Sequence, residues 1–153
     1  MKVGIVGHEE AKFTPDGKRE AVRVIEELLT HCDVLVSGGC HLGGIDIWAE
    51  VVADYVGAPK VIHLPKRRTW NGGYKERNEL IALDSDEVHI IVVDALPESY
   101  RGMRFPLCYH CKSAAHVKSG GCWTGKCAER MGKRAVWHVI EQQVRPRNQE
   151  TET

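Results

Sequence analysis

Cys108, Cys111, His116 and Cys122 stand in the pattern C-x2-C-x4-H-x5-C. Three soft thiolates and one imidazole this close together suit a tetrahedral Zn²⁺. Four protein ligands leave no open coordination position, so such an ion is expected to be structural and not catalytic. His110 and Cys127 are alternative ligands. The competing readings are reduced cysteines packed as small apolar side chains and cysteines used in redox chemistry. Nothing in the sequence suggests secretion, so disulfides are not the expected use of the six cysteines.

A second set of residues can do chemistry through the backbone. Gly7-His8, Ser37 to Gly44 and Ser119-Gly120-Gly121 are glycine-rich turns, each preceding a candidate helix. Main-chain N–H groups at a positive helix end attract an anion. Glycine lets the backbone come close to it. The chain lacks GxGxxG with an acidic residue downstream, and it lacks GxxxxGK[ST]. Neither a dinucleotide dehydrogenase nor a P-loop phosphatase is supported. Trp70 follows the basic run Lys66-Arg67-Arg68 and can stack a nucleobase. His8 is expected to face either the crevice or solvent.

The elements that must carry these residues alternate. Short β-branched runs at 2–7, 33–37, 60–64, 87–93 and 134–140 read as strands. Helices are expected from Thr14-Pro15, from Ile45, over 74–83 and from Gly120-Gly121 to about Met131. Ile45, Trp48, Val51, Val52 and Tyr55 are expected on the inner side of the second helix. This rhythm implies right-handed crossovers. The predicted fold class is α/β: a Rossmann-like three-layer sandwich with a mostly parallel five-stranded sheet and a Cys/His-rich insertion, 95–118, before the last helix. In such sheets the ligand crevice lies beyond the carboxyl ends of the strands, where all three glycine turns fall. Residues 1–141 are expected to form one domain. The polar tail 142–153 is expected to be disordered.

The chain has 153 residues, and 21 basic side chains balance 21 acidic ones. Zero net charge argues against a broad nucleic-acid surface and leaves room for a local anion pocket. No apolar run approaches the roughly 20 residues of a spanning helix. The amino terminus reads as a strand and not as a signal peptide, so a cytoplasmic protein without membrane contact is expected.

Three ordered motifs carry a resemblance: Ser37-Gly38-Gly39-x3-Gly43-Gly44-x-Asp46, then Gly73-x3-Arg77-Asn78, then Ser119-Gly120-Gly121-x2-Thr124. Over about residues 1–140 the chain resembles the SLOG superfamily of Rossmann-like proteins. Its members include the lonely-guy phosphoribohydrolases, DNA-processing protein A and molybdenum-cofactor carrier proteins. The resemblance implies a nucleotide or nucleotide-derived ligand. It assigns Gly38, Gly39, Gly43 and Gly44 to the first ligand-facing loop and Asp46 to its acidic position. Arg77 and Asn78 go to the middle motif, and Gly120, Gly121 and Thr124 to the phosphate-cradling turn. Asp46 would repel phosphate, so it suits ribose hydroxyls or a helix cap. The lonely-guy enzymes follow their glycine turn with a catalytic Glu. Here Gly125, Lys126 and Cys127 follow Thr124, so binding is expected over hydrolysis. An N-glycosidase using Asp46 or Glu50 is the alternative. A nucleic-acid accessory protein is the third reading, in which Tyr109 and Trp123 stack bases. A homodimer is expected by resemblance.

Overall fold

The computed structural model describes residues 1–143. Five strands form one sheet: β1 (Lys2–Gly7), β2 (Val34–Ser37), β3 (Lys60–Ile62), β4 (Glu87–Val93) and β5 (Arg134–Ile140). Their order is β3-β2-β1-β4-β5, with every pairing parallel. Four helices connect them: α1 (Pro15–Leu29), α2 (Ile45–Val56), α3 (Lys75–Asp84) and α4 (Gly121–Arg130). The expected α/β Rossmann-like sandwich is therefore observed, and the sheet is wholly parallel.

The sheet separates two apolar layers, as a parallel sheet covered on both faces must. Ile5, Leu35, Ile91 and Val93 pack with Ile25 of α1 and Ile45 of α2. Val36, Val88, Ile90 and Val92 pack on the opposite side with Ile81 of α3 and Ala128 of α4. Fully burying each such side chain contributes about 1.5–3 kcal/mol before conformational entropy is counted.

Local signals set the helix ends. Thr14 caps α1, its Oγ1 accepting the Gly17 N–H at 2.9 Å, with Pro15 at the first helical position. The inner face of α2 differs from expectation. Ile45, Trp48, Ala49, Val52 and Ala53 are buried, whereas Val51 is 61% and Tyr55 92% exposed. The buried set follows i, i+3, i+4, i+7, i+8, and the other two side chains lie outside that stripe. Gln142 also differs. Its side-chain oxygen accepts the Thr14 N–H at 2.8 Å, and its amide nitrogen donates to the Lys12 and Ala95 carbonyls at 3.0 and 2.9 Å. It belongs to the fold and not to a tail, because it satisfies backbone groups that would otherwise lack partners. The rest of the expected disordered segment, 144–153, lies outside the described residues.

Strand order reverses between β1 and β4, and a crevice opens beyond their carboxyl ends. Two glycines set the backbones there. A Cβ on Gly7 would sit 2.0 Å from the Ile91 carbonyl oxygen. Gly44 has φ +85°, and a Cβ there would meet the His8 oxygen at 2.3 Å. Gly7→Ala should lower stability by about 2–3 kcal/mol or more, as overpacking against backbone does. Urea unfolding of the variant checks this; an unchanged midpoint contradicts the close approach.

Candidate functional site

A cavity of about 370 Å³ occupies the crevice. Gly7 and His8 form its floor, and Asp46 closes one side. Arg77 and Asn78 reach in from the start of α3, and Ser119-Gly120-Gly121 lead into α4 on the far side. These eight sequence-derived candidates are brought together. Gly39 lines a smaller neighbouring cavity of about 120 Å³ together with Arg68. Ser37 and Gly38 stand behind the wall. The Ser37 hydroxyl donates to Glu50 Oε2 at 3.0 Å, and the Gly38 carbonyl accepts from Arg77 Nη1 at 2.6 Å. Glu50 is thereby engaged with Ser37 and does not line the cavity. Gly43 faces Glu10, and Gly44 shapes the turn into α2. Thr124 is fully buried with Oγ1 lacking a partner among the described residues, and it is not brought to the cavity. Three positions past the helix start, its side chain has turned toward the sheet.

Lys12 and Lys118 also line the cavity. Neither was singled out from the sequence. Lys118 had a signal, since it directly precedes the Ser119 turn. Lys12 had none: it arrives through a short 3₁₀ turn, Glu10–Lys12, that no motif marks.

Arg77 fastens the site. Its Nε donates to Asn78 Oδ1 at 2.8 Å, and its guanidinium lies 5.3 Å from the Tyr74 ring centroid. Asn78 Nδ2 in turn donates to the Gly120 carbonyl at 3.2 Å. One pair of adjacent residues on α3 thus ties the first loop to the last one.

His8 is buried. Its Nδ1 accepts the Val93 N–H at 3.1 Å, so Nε2 carries the proton and donates to the Lys118 carbonyl at 2.9 Å. Burial, with Lys12 adding to it, pushes its pKa down to about 3. It is a neutral staple between β1, β4 and the last loop, and not a solvent-facing turn residue. Asp46 is pushed up to about 6 by burial, against the pull of Arg77 and of the Cys40 N–H at 3.2 Å.

The two groups have opposite linkage. As pH falls from 7 toward 4, the folded state takes up a proton on Asp46 before the unfolded chain does, which adds stability. Below about pH 6.5 the unfolded chain protonates the histidine that the folded state keeps neutral, which removes stability. Asp46→Asn eliminates only the first effect. It should be about 1–3 kcal/mol more stable than the parent at pH 7, and equal to it near pH 4. Urea unfolding at both pH values checks this; a variant less stable at pH 7 contradicts the sign.

The segment 95–118 contains no helix or strand, only an isolated antiparallel bridge between Cys108 and Ser113. It folds over α4 and brings Cys108, Cys111, His116 and Cys122 together. One ligand atom from each lies within 4.8 Å of all the others. A tetrahedral ion bound to sulfur at about 2.3 Å needs sulfurs roughly 3.8 Å apart, so the group can hold a metal. The surrounding contacts suit one. His116 Nδ1 donates to the Val117 carbonyl at 2.8 Å, which leaves the Nε2 lone pair toward the cluster, 3.9 Å from Cys122 Sγ. Trp137 Nε1 donates to Cys122 Sγ at 3.3 Å. Burial opposes ionisation of Cys108, yet hydrogen bonds from the backbone N–H groups of Ser119, Cys111 and His110 hold its pKa below the ordinary thiol value. Cys127 packs into the core instead, and His110 packs against Trp70 with ring centroids 5.4 Å apart. Neither joins the cluster.

These parts make a Rossmann-like α/β fold, with a Cys₃His group at the turn into α4. Among solved structures the chain is similar to the molybdenum cofactor carrier protein of Chlamydomonas reinhardtii, with TM-score 0.59 and 18% identity over 92% of this chain and 77% of that one. It is similar to the molybdenum cofactor binding protein of Rippkaea orientalis, with TM-score 0.57 and 16% identity over 90% and 76%. It is also similar to DNA processing protein A of Streptococcus pneumoniae, with TM-score 0.53 and 16% identity over 88% of this chain and 49% of that one. At these identities the likeness is one of fold. No protein-family model and no curated protein matches the chain. No helix of the described residues is long and apolar enough to cross a membrane.

Proposed function

We propose that the crevice binds a nucleotide or nucleotide-derived small molecule, and that the Cys₃His group holds a structural zinc that orders the site. The observation that carries the reading is the meeting of Arg77, Lys12 and Lys118 with the Ser119-Gly120-Gly121 turn in one cavity. The Gly120 N–H at the start of α4 and the Arg77 fork suit a phosphate. Asp46 suits a ribose hydroxyl on the opposite wall. The two molybdenum cofactor proteins among the fold neighbours support a small-molecule guest. Zinc fits the three sulfurs and one imidazole better than a harder ion does. Homodimerisation and a cytoplasmic location go with this reading.

Hydrolysis of an N-glycosidic bond is the second reading. It is favoured by one observation, a carboxyl in the cavity wall whose pKa sits at about 6, in the range of a general acid or base. Against it, no carboxylate follows the glycine turn. A role in DNA processing has no observation of its own beyond the fold.

Calorimetric titration with nucleoside 5′-monophosphates, and assay of the mixtures for free base, test these readings together. Binding without base release supports the first and rejects the second. Failure of every monophosphate to bind, with no nucleotide-like molecule found by mass spectrometry on the purified protein, rejects both.

A further inference from the structure

The main cavity ends against an aromatic wall. Trp70 lines it, and its ring centroid lies 5.4 Å from that of His110 and 6.0 Å from that of Trp123. On the far side His110 and Trp123 line a second cleft of about 480 Å³, completed by Tyr109, Lys126, Glu129 and Arg130. The two spaces are one ring apart.

The chemistry of the second cleft parallels the first. The Arg130 guanidinium lies 4.5 Å from the Trp123 ring centroid and Lys75 Nζ 5.6 Å from it. Of these, Arg130 lines the cleft and remains available to an anion, whereas Lys126 shares its charge with Glu129 at 3.7 Å. Tyr109 projects from the metal loop with its ring half exposed. A flat exposed ring beside an arginine held on an aromatic face fits an aromatic heterocycle bearing a phosphate.

We propose that this cleft is a second base-binding subsite. The guest then spans both spaces and is a two-base molecule joined through phosphate, of the dinucleotide class, and not a mononucleotide. Tyr109 stacks the second base, and Arg130 meets the phosphate that rounds the Trp70 wall. Glu129 and the zero net charge of the chain limit the track to two units and disfavour a longer strand. The inference rests on the reading of the first crevice as a nucleotide site.

The test compares nucleoside 5′-monophosphates, the corresponding 5′-phosphorylated dinucleotides and an eight-residue thymidine strand on zinc-replete protein, by calorimetry and by quenching of indole fluorescence. The best dinucleotide should bind at least about tenfold more tightly than its monophosphate, the increment expected of one stacked base. Arg130→Gln and Tyr109→Ala, at exposed positions outside the first cavity, should erase that gain and leave monophosphate affinity unchanged. Zinc content measured for each confirms an intact loop. Equal affinity for mono- and dinucleotides overturns the subsite and leaves the first crevice standing. Absence of binding by both classes overturns the two readings together. A further tenfold gain with the thymidine strand overturns the two-base limit.

Discussion

Cys122→Ser should release the metal and cost the protein both stability and ligand affinity. Cys122 is the second residue of α4, directly after Gly121, and Cys108 receives the Ser119 N–H on its sulfur. The Cys₃His group and the Ser119-Gly120-Gly121 turn therefore share a backbone. His110, inside the CxxC loop, also packs on Trp70 at the cavity wall. Losing the ion unties all three contacts at once and leaves buried thiols in its place. Structural zinc in small peptides supplies about 10–16 kcal/mol of apparent binding free energy, much of it spent on folding the loop. This domain has its own core, so the expected loss of stability is smaller, at least about 3 kcal/mol, the scale of a lost disulfide or metal in a folded domain. Affinity for a nucleoside monophosphate should fall at least about tenfold, or 1.4 kcal/mol. Urea unfolding with and without chelator, elemental analysis and calorimetry measure the three quantities. Cys127→Ser is the control, since Cys127 lies in the core and outside the cluster, and it should retain one zinc per chain. Well under one zinc in the parent protein, or unfolding indifferent to chelator, removes the metal from the account.

Arg77→Ala should weaken nucleotide binding by about 1–3 kcal/mol, the range for a lost charged hydrogen bond. The side chain does two things. It presents a fixed cation to the cavity, and it ties the Gly38 carbonyl to Asn78, which in turn holds Gly120. Arg77→Lys keeps the charge and loses the fork, so it should recover only part of the affinity. Asn78→Ala removes the link to Gly120 while keeping the Arg77 charge: it should loosen the Gly120 turn and cost less than Arg77→Ala. Calorimetry with a single monophosphate across the three variants decides the ranking. Unchanged affinity in Arg77→Ala rejects its role.

What the sequence made legible was whatever local chemistry determines. Short β-branched runs, the Thr14-Pro15 start and the glycine turns each act within a few residues, and β4 and β5 fall at their expected bounds of 87–93 and 134–140. The C-x2-C-x4-H-x5-C spacing is local too, and its four members meet. The missed features all depend on partners far along the chain. Lys12 enters the cavity because the end of β1 and the start of α1 are held apart by a 3₁₀ turn. Gln142 is ordered by Thr14, a contact separated by 128 positions. Trp70 is positioned by a π-helical turn, Trp70–Tyr74, that Thr69 opens by accepting the Gly72 N–H at 3.0 Å. The pair Gly72-Gly73 announced a break before the helix, but not its type. Tyr55 counted as inward because an aromatic residue at helical spacing looks buried until the position of the sheet is known.

The central place of β1 gives the two sides of the crevice different supports. His8 continues a strand flanked on both sides, by β2 and β4, and its ring closes on the amide of Val93. Opening that floor requires breaking the middle of the sheet, the part of a domain that comes apart last. The stretch from 95 to 118 forms only one bridge of its own, and it is tied to the sheet by the Val117 N–H on the Val93 carbonyl and by the His8 ring on the Lys118 carbonyl. Loosening of this stretch is therefore expected to reach Val93 and His8, at the crevice floor, while the paired strands beneath keep their register.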